Sequence, residues 1–446
     1  MAAAAVAIVI VATQNDTQRE PPGRATESTA APSAPPGLST TPGEALTGTV
    51  ASGGSTTIPF TVDAGTVSYF AAAPDCSATG LQWVVEDSAG AQIKGAAVIC
   101  GDIGRVEFAA AGDYRVRVYS DGTGGSSEFS VSRKDSRPDR ILAISSGQSI
   151  DGNIDLPGAQ DIYEFDAAAD TVAYFASGDC AASGPQWVVE DAAGASASSG
   201  SVICDDIGRV DFPTAGRYRI RVYSAAGTTG AYQVQWKPSR QDQTFAIASG
   251  QTVNGDIDLP GARDLYAFDV TAAAVAYFAA APDCTQDDRY WVIEDSAGAV
   301  VSATSGICED IGRVAFAAAG QFRVRVESAD GATGRYALTW RTSRPDKQQD
   351  LVIGTTSGSI DAPGSRDNWT FSADQGESVT LTADASCDST DLLWVVLASD
   401  GTAITPPSSM CDDIGTVTVP TAGEYRIVVS ADGPATDDYV FHTANG

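Results

Sequence analysis

The sequence is short of the residues on which much enzymatic chemistry rests. It has one histidine, His442, in 446 residues. Ser-His-Asp and Cys-His catalysis, histidine acid–base chemistry and His-ligated zinc all need an imidazole at the site. Basic residues are scarce too: 27 Lys plus Arg stand against 57 Asp plus Glu, a formal charge of −30. A field of that sign repels phosphate, which argues against nucleic acid and anionic lipid as main partners. Apolar runs are short, and residues 2–12 (AAAAVAIVIVA) fall well below the ~20 needed to span a bilayer. Beyond that segment no stretch carries apolar residues at helical spacing. What is abundant is apolar and turn-forming: 43% of residues are hydrophobic and 45 are glycine. That is enough for packed cores, and the length suggests about two to four domains.

The eight cysteines fall into an arithmetic pattern. They are Cys76, Cys100, Cys180, Cys204, Cys284, Cys308, Cys387 and Cys411, and each successive pair is 24 apart. The first members recur after 104, 104 and 103 residues (76 to 180, 180 to 284, 284 to 387). Duplication of a unit holding both partners makes pairing within the unit the simplest scheme. Each bridge would then contribute about 3 kcal/mol in the chain-entropy model. Zinc needs three or four ligands, and each unit offers two thiolates and no imidazole. C-x-x-C, the usual redox arrangement, is absent. Four structural disulfides imply an oxidising compartment, outside the cytoplasm.

Alignment on the cysteines gives four units, near 44–135, 141–238, 244–342 and 350–446. Seven residues after each first cysteine comes a tryptophan: Trp83, Trp187, Trp291 and Trp394. Each second cysteine opens C-x-D-I-G, followed by AGDYRVRV, AGRYRIRV, AGQFRVRV or AGEYRIVV. Within a unit the apolar period is two. In Tyr218–Val222, Tyr218, Ile220 and Val222 share one side while Arg219 and Arg221 share the other, as in a half-buried strand. About eight short strands per unit with Gly-rich turns predict an all-β fold of four tandem antiparallel, jelly-roll-like sandwiches. The tryptophans are expected in the inter-sheet core beside the bridges.

The units resemble the bacterial pre-peptidase C-terminal domains. Unit 2 carries DGNIDLPGAQDIYEF (151–165), WVVEDAAG (187–194), AGRYRIRV (215–222) and GAYQVQW (230–236). Unit 3 matches with NGDIDLPGARDLYAF, WVIEDSAG, AGQFRVRV and GRYALTW; unit 4 keeps most of the pattern, and unit 1 lacks the opening Asp. The resemblance implies a jelly-roll-like, secreted accessory module, often attached to proteases and sometimes calcium-binding. Two features depart from the family pattern: the chain carries no peptidase domain, and the paired cysteines with C-x-D-I-G are additions.

Outside the units, residues 1–13 read either as an irregular export signal or as part of a truncated signal-anchor, a tether through residues 2–12. Residues 14–43 hold six prolines among Ser, Thr and Ala, an extended spacer. The three junctions share Ser136-Arg137-Pro138-Asp139, Ser239-Arg240-Gln241-Asp242 and Ser343-Arg344-Pro345-Asp346. Their charge reads as solvated hinge charge between separate beads.

Two sets of carboxylates are candidate sites. Asp155 with Asp161, Asp258 with Asp264, and Asp361 with Asp367 lie six apart on the first hairpin, and unit 1 has Ala51 and Thr56 there. Loss of both together suggests a shared role. Turn-capping aspartates explain the pair; the alternative is calcium, which takes six to eight oxygens and whose shell such a pair could begin. Asp102, Asp206, Asp310 and Asp413 of C-x-D-I-G read as turn residues. The outward pairs Arg115/Arg117, Arg219/Arg221 and Arg323/Arg325 are expected to meet acidic neighbours across the sheet. No catalytic residue and no cofactor is expected, calcium at the aspartate pairs being the one alternative. The overall expectation is a non-enzymatic, secreted or surface-tethered monomeric array for display, adhesion or recognition of an extracellular protein or polysaccharide. The alternatives are an accessory part of an exported hydrolase system, or a calcium-dependent polysaccharide-binding array.

Overall fold

The computed structural model describes residues 42–446 except 123–124, 179–183, 283, 285–287, 389–390 and 432. The apolar segment 1–13, nearly all of the spacer 14–43, and Cys180 lie outside the described residues. The described residues are all-β, with no helix.

Each repeat contributes two sheets. In repeat 2 one sheet runs Ser149–Ile154, Gly230–Pro238, Thr171–Ser177, Gly208–Phe212. The other runs Ser201–Val202, Gln186–Asp191, Gly216–Tyr223, Gln160–Ala167, Arg140–Ala143. The period-two pattern explains the facing: Tyr218, Ile220 and Val222 are buried while Arg219 and Arg221 are half-exposed. Both sheets feed one apolar cluster per repeat. In repeat 2 it includes Phe165, Phe175, Trp187, Val189, Phe212 and Ile220. Trp83, Trp187, Trp291 and Trp394 are each 0% exposed and occupy these clusters, as the spacing predicted. The bridges Cys76–Cys100, Cys284–Cys308 and Cys387–Cys411 close the expected loops.

Two expectations are corrected. The sheets are not purely antiparallel, because Arg140–Ala143, Gln243–Ala246 and Lys347–Asp350 each add a parallel edge strand to the following repeat. Parallel pairing needs a crossover rather than a tight hairpin, and in repeat 2 residues 144–159 provide it by passing through Ser149–Ile154 of the other sheet. The junctions are therefore not solvated hinges. Arg137, Arg240 and Arg344 retain only 13%, 14% and 17% side-chain exposure.

Candidate functional site

The paired aspartates lie where the first hairpin of repeats 2–4 meets the incoming junction. Arg137 Nε donates to Asp155 at 2.7 Å, its Nη2 to Asp161 at 2.6 Å, and its Nη1 to the Gln160 carbonyl at 2.9 Å. Arg240 repeats this with Asp258 at 2.6 Å, Asp264 at 2.7 Å and the Arg263 carbonyl at 3.1 Å. Arg344 does so with Asp361, with Asp367 at 2.5 Å and with the Arg366 carbonyl at 3.1 Å. The planar guanidinium suits this fork, which holds two carboxylates and a carbonyl at fixed angles. Hydrogen bonding from the arginine holds Asp155, Asp258 and Asp361 below the usual carboxylate range. Burial works against charge on the three arginines, but their paired carboxylates outweigh it and raise their pKa.

The inner carboxylate of each pair reaches into the core. Asp161, Asp264 and Asp367 are 2%, 3% and 0% exposed. Tyr232, Tyr336 and Tyr439 donate to them at 2.6, 2.6 and 2.7 Å. A second donor or acceptor completes each set: Tyr163 and Tyr266 Oη lie 2.7 Å from Tyr232 and Tyr336 Oη, and Trp369 Nε1 donates to Tyr439 at 2.9 Å. Burial first, then the bond to the aspartate, pushes the Tyr232, Tyr336 and Tyr439 hydroxyls up. The tyrosines cross over Gly152, Gly255 and Gly358, where an added Cβ would lie 2.2, 2.2 and 2.3 Å from the phenol. Any larger residue would drive the ring off its carboxylate.

The C-x-D-I-G aspartates do more than cap a turn. Asp102 accepts from Tyr69 Oη at 2.6 Å and from the Ala72 amide at 2.8 Å, tying the second-cysteine loop to a strand some thirty residues earlier. Asp206 and Asp310 do the same through Tyr174 and Tyr277, and Asp413 accepts from the Ala383 amide. The variable residue before each aspartate is held through its backbone: its amide donates to the carbonyl three residues earlier, and its carbonyl receives the buried tryptophan Nε1 at 2.8 to 3.2 Å. That explains why its side chain is free to differ. The Arg ladders meet acid as expected: buried Glu86, Glu190 and Glu294 each accept from two arginines.

A third constellation was missed by the sequence reading. Tyr69 points to the face opposite the core residue Phe70, yet it is 3% exposed. Repeat 2 covers it: a Cβ on Gly158 would lie 2.9 Å from its ring, and one on Gly227 3.1 Å. Beside it Arg105 donates to the Gly158 carbonyl at 2.7 Å and to Asp139 of the junction at 2.7 Å. The same joint recurs with Tyr174, Arg209, Gly261, Gly331 and Asp242, and with Tyr277, Arg313, Gly364 and Asp346. Each junction thus clasps in both directions: its arginine grips the repeat ahead and its aspartate the repeat behind. The signal was present in TVSYFAA, TVAYFAS and AVAYFAA, which are apolar on both faces as strands covered on both sides are.

Among the described residues no group of three or more His, Cys, Asp or Glu side chains lies close enough to hold a metal. A groove of about 420 Å³ lies in repeat 4 beside Leu351, Ile353, Phe371 and Val379.

No protein-family profile matches the chain, and no curated protein matches it. Among solved structures it is similar to the pre-peptidase C-terminal domain of a Bacillus anthracis collagenase, at 22% identity over 23% of this chain and 100% of that one, TM-score 0.20. A periplasmic inhibitor of g-type lysozyme from Aeromonas hydrophila matches at 16% identity over 22% of this chain and 99% of that one, TM-score 0.19. A Clostridium perfringens protein comprising an M60 catalytic domain with two CBM51 domains matches at 8% identity over 93% of this chain and 56% of that one, TM-score 0.20. What the chain shares with the first of these is a weak likeness of fold.

Proposed function

We propose that the chain is an exported, non-enzymatic stalk: four jelly-roll-like sandwiches stacked in a stiff row, displaying or positioning a partner at the cell exterior. The observation that carries this reading is the repeated joint. A tyrosine, an arginine, glycine turns and a two-way junction clasp recur between repeats, so neighbouring units meet in one fixed manner. Flexible beads would need none of these parts. The sandwich reading, rather than one continuous β-solenoid, is supported by the ladders: apart from the junction strands, every registered pair joins strands of one repeat. The cysteine bridges support an oxidising, exported setting. A tether through residues 2–12 and the Pro-rich spacer would then lift the row off its point of attachment.

In this reading the carboxylate pairs need no calcium, because the junction arginine supplies the positive charge. Recognition of a polymer by stacking on the repeated tryptophans has little support, since all four are fully buried. A recognition role has one favourable observation, Val352 and Ile353 at 75% and 49% exposure beside the groove of repeat 4.

Small-angle scattering on secreted chains of two, three and four repeats tests the stalk. The maximum dimension should rise by a constant increment per repeat, as for a rod; growth as a fractional power of repeat number would overturn the reading. Non-reducing peptide mapping of the natural protein should find all four bridges formed.

A further inference from the structure

We propose that the first and last repeats are the two caps of this stack, each lacking the half of the joint that would face outward. The inference rests on the stalk reading and extends it to the ends of the row. One half of the joint is a cross-strand pair of Tyr and Arg: Tyr69 opposite Arg105, Tyr174 opposite Arg209, Tyr277 opposite Arg313. In repeat 4 the same register holds Thr380 opposite Thr416. Burial follows the chemistry. Thr66–Ala72 is buried almost throughout, whereas Ser378–Ala383 alternates, with Thr380 left partly exposed. Short hydroxyls replace the aromatic and the cation, and they satisfy one another: Thr380 with Thr416 and Ser378 with Thr418, each at 2.9 Å. A surface of that kind is well solvated and offers a following unit neither a ring nor a guanidinium.

The other half is the carboxylate pair with its glycine turns. Repeat 1 has Ala51 and Thr56 at the pair, and residues 25–43 contain no arginine to serve one. Among the described residues its turn glycines Gly53 and Gly122 have nothing within 4 Å of an added Cβ, unlike Gly158 and Gly227. The losses are directional. Repeat 1 keeps Tyr69 and Arg105, which face inward; repeat 4 keeps Gly364, Asp361 and Asp367, which also face inward. Random divergence would not remove only the outward half at each end. A head-to-tail joint left open at both ends would join successive copies, into filaments unless the rotation between them closes a ring. Terminal units of stacked-repeat proteins are altered for this physical reason.

The test adds a second copy of residues 239–342, a junction with repeat 3, to the full chain. In one protein it is inserted between repeats 3 and 4; in the other it follows Gly446. Limited proteolysis at the new junction reads docking, since cleavage tracks how often the junction opens. The inserted copy should be protected, and the appended copy cut about tenfold faster or more. Thr380→Tyr with Thr416→Arg in the appended protein should restore protection. Equal protection at both places would overturn the caps and leave the stalk standing. Equal, rapid cleavage at both would mean there is no joint to cap, and both readings would fall. Failure of the double substitution to protect the appended junction would overturn the assignment of the cap to those two residues.

Discussion

Repeats 1 and 2 fill the same place between their sheets with opposite chemistry. Repeat 2 has Asp161, Tyr163 and Tyr232 there, closed by Arg137. Repeat 1 has Thr56, Ile58 and Phe129 at the matching registers, with the Phe129 ring over Gly48 as Tyr232 lies over Gly152. The shape is kept while every charge and phenol hydroxyl is gone. Such a network is worth little over an apolar filling of the same volume, but it is costly to leave half-made. Its members are therefore present together or absent together, and what selects the polar version is a junction that must be gripped.

The most damaging way to break this comparison is Arg137→Ala. It leaves Asp161 buried without its cation, and the expected loss in repeat 2 is about 3–5 kcal/mol. Hydrogen exchange read peptide by peptide would register the loss in repeat 2 and spare repeat 1. Adding Asp161→Thr, Tyr163→Ile and Tyr232→Phe, the residues of repeat 1, should recover most of it. A loss no greater than that of a surface substitution would refute the all-or-none account.

Tyr174→Ala should cost about 3 kcal/mol of joint stability, the scale of removing a buried ring. Thr380→Ala, at the matching register of repeat 4, should cost almost nothing. Protease sensitivity at 238–243 against thermal melting of repeat 4 separates the two, and equal effects would contradict the burial difference.

A smaller effect follows from pH. Tyr232, Tyr336 and Tyr439 have pKa values raised by burial and then by their aspartates. An unfolded tyrosine ionises near about pH 10. Above that pH the unfolded chain gives up protons that the folded chain keeps, so this stability is complete below pH ~10 and declines as pH rises beyond it. Repeat 1 has Phe129 at this place, and its Tyr69 hydroxyl is raised by burial at the joint and by Asp102 rather than by such a network. Exchange protection at pH 11 should therefore fail in repeat 2 before repeat 1; the reverse order would count against the network.

The least effect is expected from calcium. Millimolar calcium should leave the melting temperature of the chain unchanged, because an arginine already sits between the carboxylates. A saturable rise would reinstate a cation at the pair.

The architecture was legible because spacing survives in one dimension: cysteines 24 apart, tryptophans seven beyond, and period-two strands each report local geometry. Joint absence of the aspartates at Ala51 and Thr56 also singled them out together, and one arginine binds both. Their partner was not legible, since Arg137 lies 18 residues before Asp155 in a stretch whose composition reads as a linker. Tyr69 was hidden for another reason. A strand apolar on both faces says that something covers it, not whether the cover is a sheet of its own domain or the next repeat.

The junction strands have a consequence for how the chain comes into being. Arg140–Ala143 and Arg137 complete repeat 2 but precede it in the chain, and the same holds for repeats 3 and 4. Each unit thus emerges from synthesis or export after the pieces it needs, onto a neighbour already presenting its tyrosine and arginine. Among the described residues repeat 1 has no such upstream strand, and its interior at the matching place is apolar. On the proposed stalk reading the repeats would assemble from first to last, and pulse proteolysis during refolding should find repeat 1 protected earliest; simultaneous protection of all four would count against that order.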